Sequence, residues 1–445
     1  MNPLNRLYKQ TLYWNIIDSL SNQFLLFIHN LLIRSLAGVD FHGRFSIMFS
    51  LFYLLLGLST SGFDLTISTL WNSAKSKSNL SRLFFQLCIQ QTFIFLLLSI
   101  ILTIAYSAQN LFFKGLIDTL PVTLVLIILA VEMTKKLLKS FLLMTLATSI
   151  PVIIEAIGFI IYLLSIWYWY IFYGYSLTAS IVIMSAISLF QISLFLYYSF
   201  EWWHTISLST DEKESSTSMI WYTRLWGTIS QLSNQFFTAN FFIPLFAEWC
   251  SLSFVSAAKI VSLAAQLLIK FVQRSIGSTI IIMHTKMHAF PYGQFLTHQI
   301  NNTLYFLVFC SGCMFILLPL TLAQACSLTL NHIFFLTFFL ILLTFLEGFF
   351  VLYDRLLSVQ GKTYFVAAIS TVSLASIVIF LQTAHRHDIQ TLKFFIILRA
   401  LGLCFLVLYL VYNLKQSHRD LVRQVFTITT LLIFLTFFIV SFLGK

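Results

Sequence analysis

The chain has 445 residues, of which 26 are Lys or Arg and only 15 are Asp or Glu. Charged residues make up 9% of it and hydrophobic residues 59%, with 48 Phe, whereas an ordinary soluble domain is about 25% charged. So few charges cannot cover a water-exposed surface. A soluble globular protein, a disordered chain and a coiled coil are excluded, and a polytopic membrane protein remains.

Apolar runs of about 20 residues or more recur along the chain, which predicts membrane-spanning helices rather than the strands of about 10 residues in a barrel. Thirteen spans are predicted, at 11–35, 44–70, 82–106, 119–140, 150–172, 176–200, 219–246, 253–283, 298–323, 331–356, 364–383, 391–413 and 424–443. The first is long and carries Asp18, so it reads as a retained helix and not a cleaved signal. Its polar residues Trp14, Asn15, Asp18, Ser21, Asn22 and His29 share one face. Asp18 is compatible with a proton or Na⁺ site, a partner for a basic residue of the other half, or an interfacial group. Glu132 precedes Lys135, Lys136 and Lys139 near the end of the fourth span, and Glu132 with Lys136 reads as an i,i+4 pair on a solvated helix end. Glu155 lies near the same side. Trp167 to Tyr170, and Trp202 with Trp203, fall at interface-belt positions.

The eighth span carries the sharpest pattern. At about 100° per residue, Lys259, Gln266, Lys270, Gln273 and Arg274 fall within one sector of about 100°. Each cation would cost roughly 2.5–3.5 kcal/mol at a lipid-facing helix centre. One reading is a basic, water-filled cavity for an anionic group such as a phosphate or pyrophosphate. The other is that Lys259, Lys270 and Arg274 snorkel to the two interfaces. Glu347 and Asp354 lie seven apart in the tenth span, with Glu347 the deeper, and Arg399 lies well inside the twelfth.

Lys and Arg favour one side. With the N-terminus in the cytoplasm, Arg6, Lys9, Lys75, Lys77, Arg82, Lys135, Lys136, Lys139, Lys213, Arg224, Lys286, Arg355, Lys362, Lys415, Arg419 and Arg423 collect inside, sixteen against six outside. Spread over short loops, this charge forms no basic domain for nucleic acid. The six cysteines, including Cys310 and Cys313, sit in or beside apolar runs and read as small buried residues. The His385-Arg386-His387-Asp388 cluster lies in a short outer loop, and no metal is expected there. No H-E-x-x-H, Walker A or G-x-S-x-G motif is present, so an enzyme is not expected.

The sequence repeats internally. Leu20-Ser21-Asn22-Gln23-Phe24 returns as Leu232-Ser233-Asn234-Gln235-Phe236 at an offset of 212, which also places Trp14 on Trp226. The same offset sets the Lys75/Lys77 loop near the Lys286 loop, and the link after Lys139 near that between Arg355 and Lys362. Six helices per repeat predict two parallel six-helix bundles related by an axis along the membrane normal. The expected organisation is a first bundle at 1–200, a cytoplasmic linker at 201–218, a second bundle at 219–414 and an extra helix at 424–443. Asp18 falls on Ser230, so the bundles differ chemically there.

These features carry a family resemblance. Trp14 to Trp71, with Arg34 to Gly43 and Ser59-Thr60-Ser61-Gly62-Phe63-Asp64, resembles the opening of polysaccharide flippases of the MOP superfamily, which also holds the MATE exporters and the lipid II flippases. Trp226 through Phe254-Val255-Ser256-Ala257-Ala258 resembles the repeat of that opening. Ala37-Gly38 departs from the usual Leu-Gly, and a thirteenth helix stands where twelve or fourteen are usual. The resemblance implies a Wzx-like flippase that moves a polyprenyl-pyrophosphate-linked oligosaccharide across the cytoplasmic membrane by alternating access. It implies a cationic cavity, onto which Lys259, Gln266, Lys270, Gln273, Arg274 and Arg399 map by position. Asp18, Asn22, Asn234 and Glu347 are the candidate cavity and coupling residues. No cofactor is expected beyond coupling to protons or Na⁺. The expected partners are the lipid-linked substrate, membrane lipids, and the polymerase and export machinery. A MATE-like cation antiporter is the alternative; a membrane glycosyltransferase or polymerase lacks its catalytic loop.

Overall fold

The structure is a computed structural model describing residues 3–63, 66–67, 77–108, 118, 120–144, 149–206, 217–272, 339–344, 346–348, 350–351, 354, 357, 363–383 and 388–413. The first half contributes α1 (Pro3–Ala37), α2 (Val39–Ser59), α3 (Lys77–Ser107), α4 (Val122–Met144), α5 (Ser149–Tyr173) and α6 (Leu177–Ile206). The second contributes α7 (Thr217–Gln235), α8 (Ala239–Trp249), α9 (Leu252–Val272), a helical segment from Phe339, α10 (Thr363–Thr383) and α11 (Asp388–Asn413). Five helices are long and apolar enough to cross a membrane, four in the first half and one in the second, among the described residues. The predicted spans at 298–323 and 424–443, and the Cys310/Cys313 pair, lie outside the described residues.

The repeat register holds in three dimensions. Shifted by 212, Val39–Ser59 falls on 251–271 against α9 at Leu252–Val272, and Ser149–Tyr173 falls on 361–385 against α10 at Thr363–Thr383. Packing follows the same relation. α1 packs on α5 as α7 packs on α10, and α5 on α6 as α10 on α11. Across the two halves, α1 packs on α9 and α2 on α8, which are equivalent pairs, while α2 and α9 pack on each other.

The seventh predicted span is two helices, not one. Between α7 and α8 the backbone N–H groups of Phe236, Phe237 and Thr238 reach the carbonyls of Ser233, Asn234 and Gln235 at 3.1, 3.1 and 3.2 Å, a tight three-residue winding. Pro244 lies inside α8, and its ring leaves the Asn240 carbonyl without the usual donor. α1, with the same Leu-Ser-Asn-Gln-Phe run, is continuous.

α1 and α2 are joined through Gly38 at φ 88°, ψ 168°, a backbone region essentially reserved for glycine. One apolar core is formed by α2, α3 and α4, around Phe45, Met48, Phe52, Leu87, Leu129 and Phe141. A second is built by α8, α9, the 339–357 segment, α10 and α11, and takes in Leu54 of α2. α3 exposes Phe85, Ile89, Phe93, Leu97, Ile100 and Ile104, and α5 exposes Ile157, Ile161, Leu164, Tyr168 and Phe172. Continuous apolar faces of this kind suit lipid contact rather than water.

Candidate functional site

The seam between the halves runs along α2 and α9, with α1 against α9 and α8 against α2. A Cβ added at Gly43 would stand 2.8 Å from the Leu252 carbonyl oxygen, so glycine permits this approach. The preceding residue, His42, bridges the halves. Asn30 donates through Nδ2 to the Leu26 carbonyl at 2.8 Å, which turns its Oδ1 toward His42 Nε2 at 3.1 Å. In the neutral ring Nε2–H therefore donates to Asn30, and Nδ1, at 2.8 Å from Ser256 Oγ, accepts from that hydroxyl. Deeper along the seam Lys259 donates to Ser50 Oγ at 2.8 Å and is 6% exposed. Ser46, Ser256 and Ser262 are buried beside it. Gln266 is half-buried on the same helix. The Lys270 side chain, Gln273 and Arg274 lie outside the described residues.

At the other end of α2 the seam continues. Gly62 N–H donates to Gln231 Oε1 at 2.6 Å, and Thr228 Oγ1 donates to the Ser61 carbonyl at 3.4 Å. Arg224 of α7 reaches Gln91 of α3 and stands 5.6 Å from the centre of the Phe63 ring. Counted among the loop cations in the sequence, Arg224 is buried, as are Arg34 and Lys139. These three report on packing and not on loop charge.

A second polar cluster lies inside the first half, on α1, α4 and α5. Asn22 donates through Nδ2 to Asp18 Oδ1 at 2.8 Å and to Glu155 Oε2 at 3.0 Å. Lys139 stands 3.2 Å from Asp18 Oδ1 and makes a short contact with Glu155. Alongside, Glu132 accepts from Ser188 of α6 and pairs with Lys135 at 2.6 Å. Lys136 donates instead to Thr60 Oγ1 at 2.6 Å. The predicted solvated Glu132–Lys136 pair is thus corrected: Glu132 is buried, and α6 selects the i,i+3 partner over the i,i+4 one. Asp18 and Asn22 were legible as a face. Lys139 and Glu155 were read as belonging to a helix end, and the signal that marks them is a lysine and a glutamate on neighbouring spans of a hairpin.

The second half holds a matching arrangement. Arg399 of α11 is ion-paired with Glu347 and donates to Asn234 Oδ1 at 2.8 Å. Its guanidinium carbon lies 3.4 Å from the Phe350 ring centre and 4.3 Å from that of Phe237. Ser230 donates to Asp354 Oδ2 at 3.0 Å. The 212-residue register places Glu347 on Lys135, Arg399 beside Ser188, Asn234 on Asn22 and Ser230 on Asp18. Each half therefore ties its fourth span to its sixth through a buried ion pair or hydroxyl, and presents an asparagine from its first. Among the described residues no group of three or more His, Cys, Asp or Glu is arranged to hold a metal ion.

No protein-family model matches the sequence, and none of the curated proteins matches it. Solved structures do. A chain named protein A is 13% identical with TM-score 0.68, over 94% of this chain and 97% of that one. A MATE transporter in complex with MaD5 is 11% identical with TM-score 0.60, over 92% and 97%. A MOP superfamily transporter from Pyrococcus furiosus, described by the reverse polarity of its binding pocket, is 12% identical with TM-score 0.59, over 92% and 96%. At this level of identity the likeness establishes the fold, which is the all-helical MATE/MOP architecture of two six-helix bundles with an extra helix.

Proposed function

We propose that this chain is a membrane transporter of the MOP superfamily, and within it a flippase that carries a polyprenyl-pyrophosphate-linked oligosaccharide across the cytoplasmic membrane for cell-surface polysaccharide assembly. The observation that carries this reading is the charge of the seam. α9 has no acidic residue, the one acid of α2, Asp40, is exposed, and Lys259 is buried between the two helices. Of the buried acids, Asp18, Glu132 and Glu347 each pair with a cation of their own bundle, and Asp354 accepts from Ser230. A seam that buries a cation, serine hydroxyls and a histidine suits, on opening, an anionic head group better than a cationic drug.

The proposed cycle is alternating access with the N-terminus in the cytoplasm. The pyrophosphate binds Lys259 with Gln266, Lys270, Gln273 and Arg274 further along the sequence. The sugar occupies the space between the bundles, and the lipid tail remains in the bilayer. The polymerase and export machinery would receive the product. Coupling to a proton or Na⁺ gradient would act through Asp18 or Glu347, the two deep acids singled out in the sequence.

The test is leaflet reorientation of a fluorescent polyprenyl-pyrophosphate oligosaccharide in proteoliposomes. Wild-type protein should reorient it, and Lys270→Ala with Arg274→Ala should not, while both insert equally. A second reading, an organic-cation antiporter, draws on the MATE transporters that share the fold. Efflux of an organic cation driven by a pH gradient, with no reorientation of the lipid, would establish that reading and overturn the first.

A further inference from the structure

In the first bundle a lysine ammonium already occupies the space between two carboxylates. Lys139 of α4 sits between Asp18 of α1 and Glu155 of α5, with Asn22 donating to both acids. Among the described residues the ionisable groups around it balance. Asp18, Glu132 and Glu155 are matched in number by Lys135, Lys136 and Lys139, and Lys135, though paired with Glu132, also acts electrostatically on Glu155. Tyr53 of α2 feels the charge of both Glu132 and Glu155. With three acids and three lysines among the described residues of one largely buried cluster, a mobile monovalent cation would add an unbalanced positive charge there. It would also have to displace an ammonium held by covalent tether at high local concentration.

We infer that Lys139 is a built-in counter-ion standing where a coupling cation would otherwise bind, so that the first bundle works without Na⁺ at this cluster and, of the two acids proposed for coupling, only Glu347 is left for Na⁺. The inference rests on the transporter reading but concerns cation binding, which is measurable without transport. Removing the ammonium leaves an asparagine and two carboxylates around a small vacated space, oxygen-rich and net negative. That is the chemistry a small monovalent cation or a methylammonium ion would fill.

The experiment measures thermal unfolding of the purified full-length protein in detergent, with NaCl, methylammonium chloride or choline chloride at one ionic strength. Wild type should unfold at the same temperature in all three. Lys139→Ala should unfold several degrees lower in choline and recover saturably with Na⁺ or methylammonium. Lys139→Ala combined with Asp18→Asn should lose that recovery. Saturable Na⁺ stabilisation of the wild type overturns the inference, and this arm needs no variant. So does a folded Lys139→Ala, or the more conservative Lys139→Gln, that responds to neither cation. Absent lipid reorientation together with the expected cation responses would count against the flippase reading alone.

Discussion

Removing Glu347 should reveal how strongly Arg399 is held. Arg399 is 1% exposed and Glu347 12% at the side chain, and α11 and the 339–357 segment meet through this pair. Breaking a buried pair by deleting one partner costs about 3–5 kcal/mol, because the other charge stays in low dielectric. Glu347→Gln leaves the bond to Asn234 and both ring contacts in place, and cation–π contacts are each worth about 0.5–2 kcal/mol. Its loss should therefore be near the low end, about 3 kcal/mol. Arg399→Met removes those contacts as well and strands Glu347, which puts it near about 5 kcal/mol. The double variant strands no charge, and neutral replacements of buried pairs are often tolerated, so its loss should be about 2 kcal/mol or less. A double-mutant cycle from reversible unfolding in detergent should give a coupling of about 6 kcal/mol, the amount by which the two single losses exceed the double one. Single losses that simply add, within about 0.5 kcal/mol, would refute the view that the two residues act as one unit.

Further outcomes follow from the seam and the turn. Gly43→Leu must push α2 from α9, since even a Cβ meets the Leu252 carbonyl at 2.8 Å; overpacking of this kind costs about 1–3 kcal/mol, and Ser50→Cys in that background should react with a maleimide faster than alone. Gly38→Ala, forced into a conformation only glycine adopts readily, should lose about 1–3 kcal/mol in thermal unfolding. Lys259→Ala should insert normally and slow lipid reorientation by about tenfold or more, as loss of a charge-assisted contact worth about 1.5–3 kcal/mol requires. Lys259→Arg should keep most of the rate.

The span order and the repeat were legible because both rest on local properties. Apolar length marks a helix, and the 212-residue offset read from five residues places α2 on α9 and α5 on α10 within a residue or two. The break before α8 was hidden, since Leu232 to Phe236 copies Leu20 to Phe24 in an unbroken helix. The difference lies further on, where Pro244 replaces the Leu32 of the first repeat. Asp18, Asn22, Glu347 and Arg399 stood out singly as charges or amides inside apolar spans. Their partners did not, because Lys139 lies 121 positions from Asp18 and Asn234 lies 165 from Arg399. Such pairings depend on how six helices converge, and no periodicity in one helix encodes them. The same reason explains why Lys139 and Arg224 looked like loop charges: each stands within a turn or two of a helix end, and only the neighbouring helices bury it.

The claim that substrate passes as the two bundles move apart is tested most directly by locking the seam. His42 Nδ1 and Ser256 Oγ are 2.8 Å apart across the seam, so His42→Cys with Ser256→Cys, in a background with the six native cysteines replaced, puts one thiol on each side of it. After oxidation the lipid-linked oligosaccharide should stop reorienting in proteoliposomes, and reduction should restore it. Reorientation at the unlocked rate while the disulfide is intact would contradict the account.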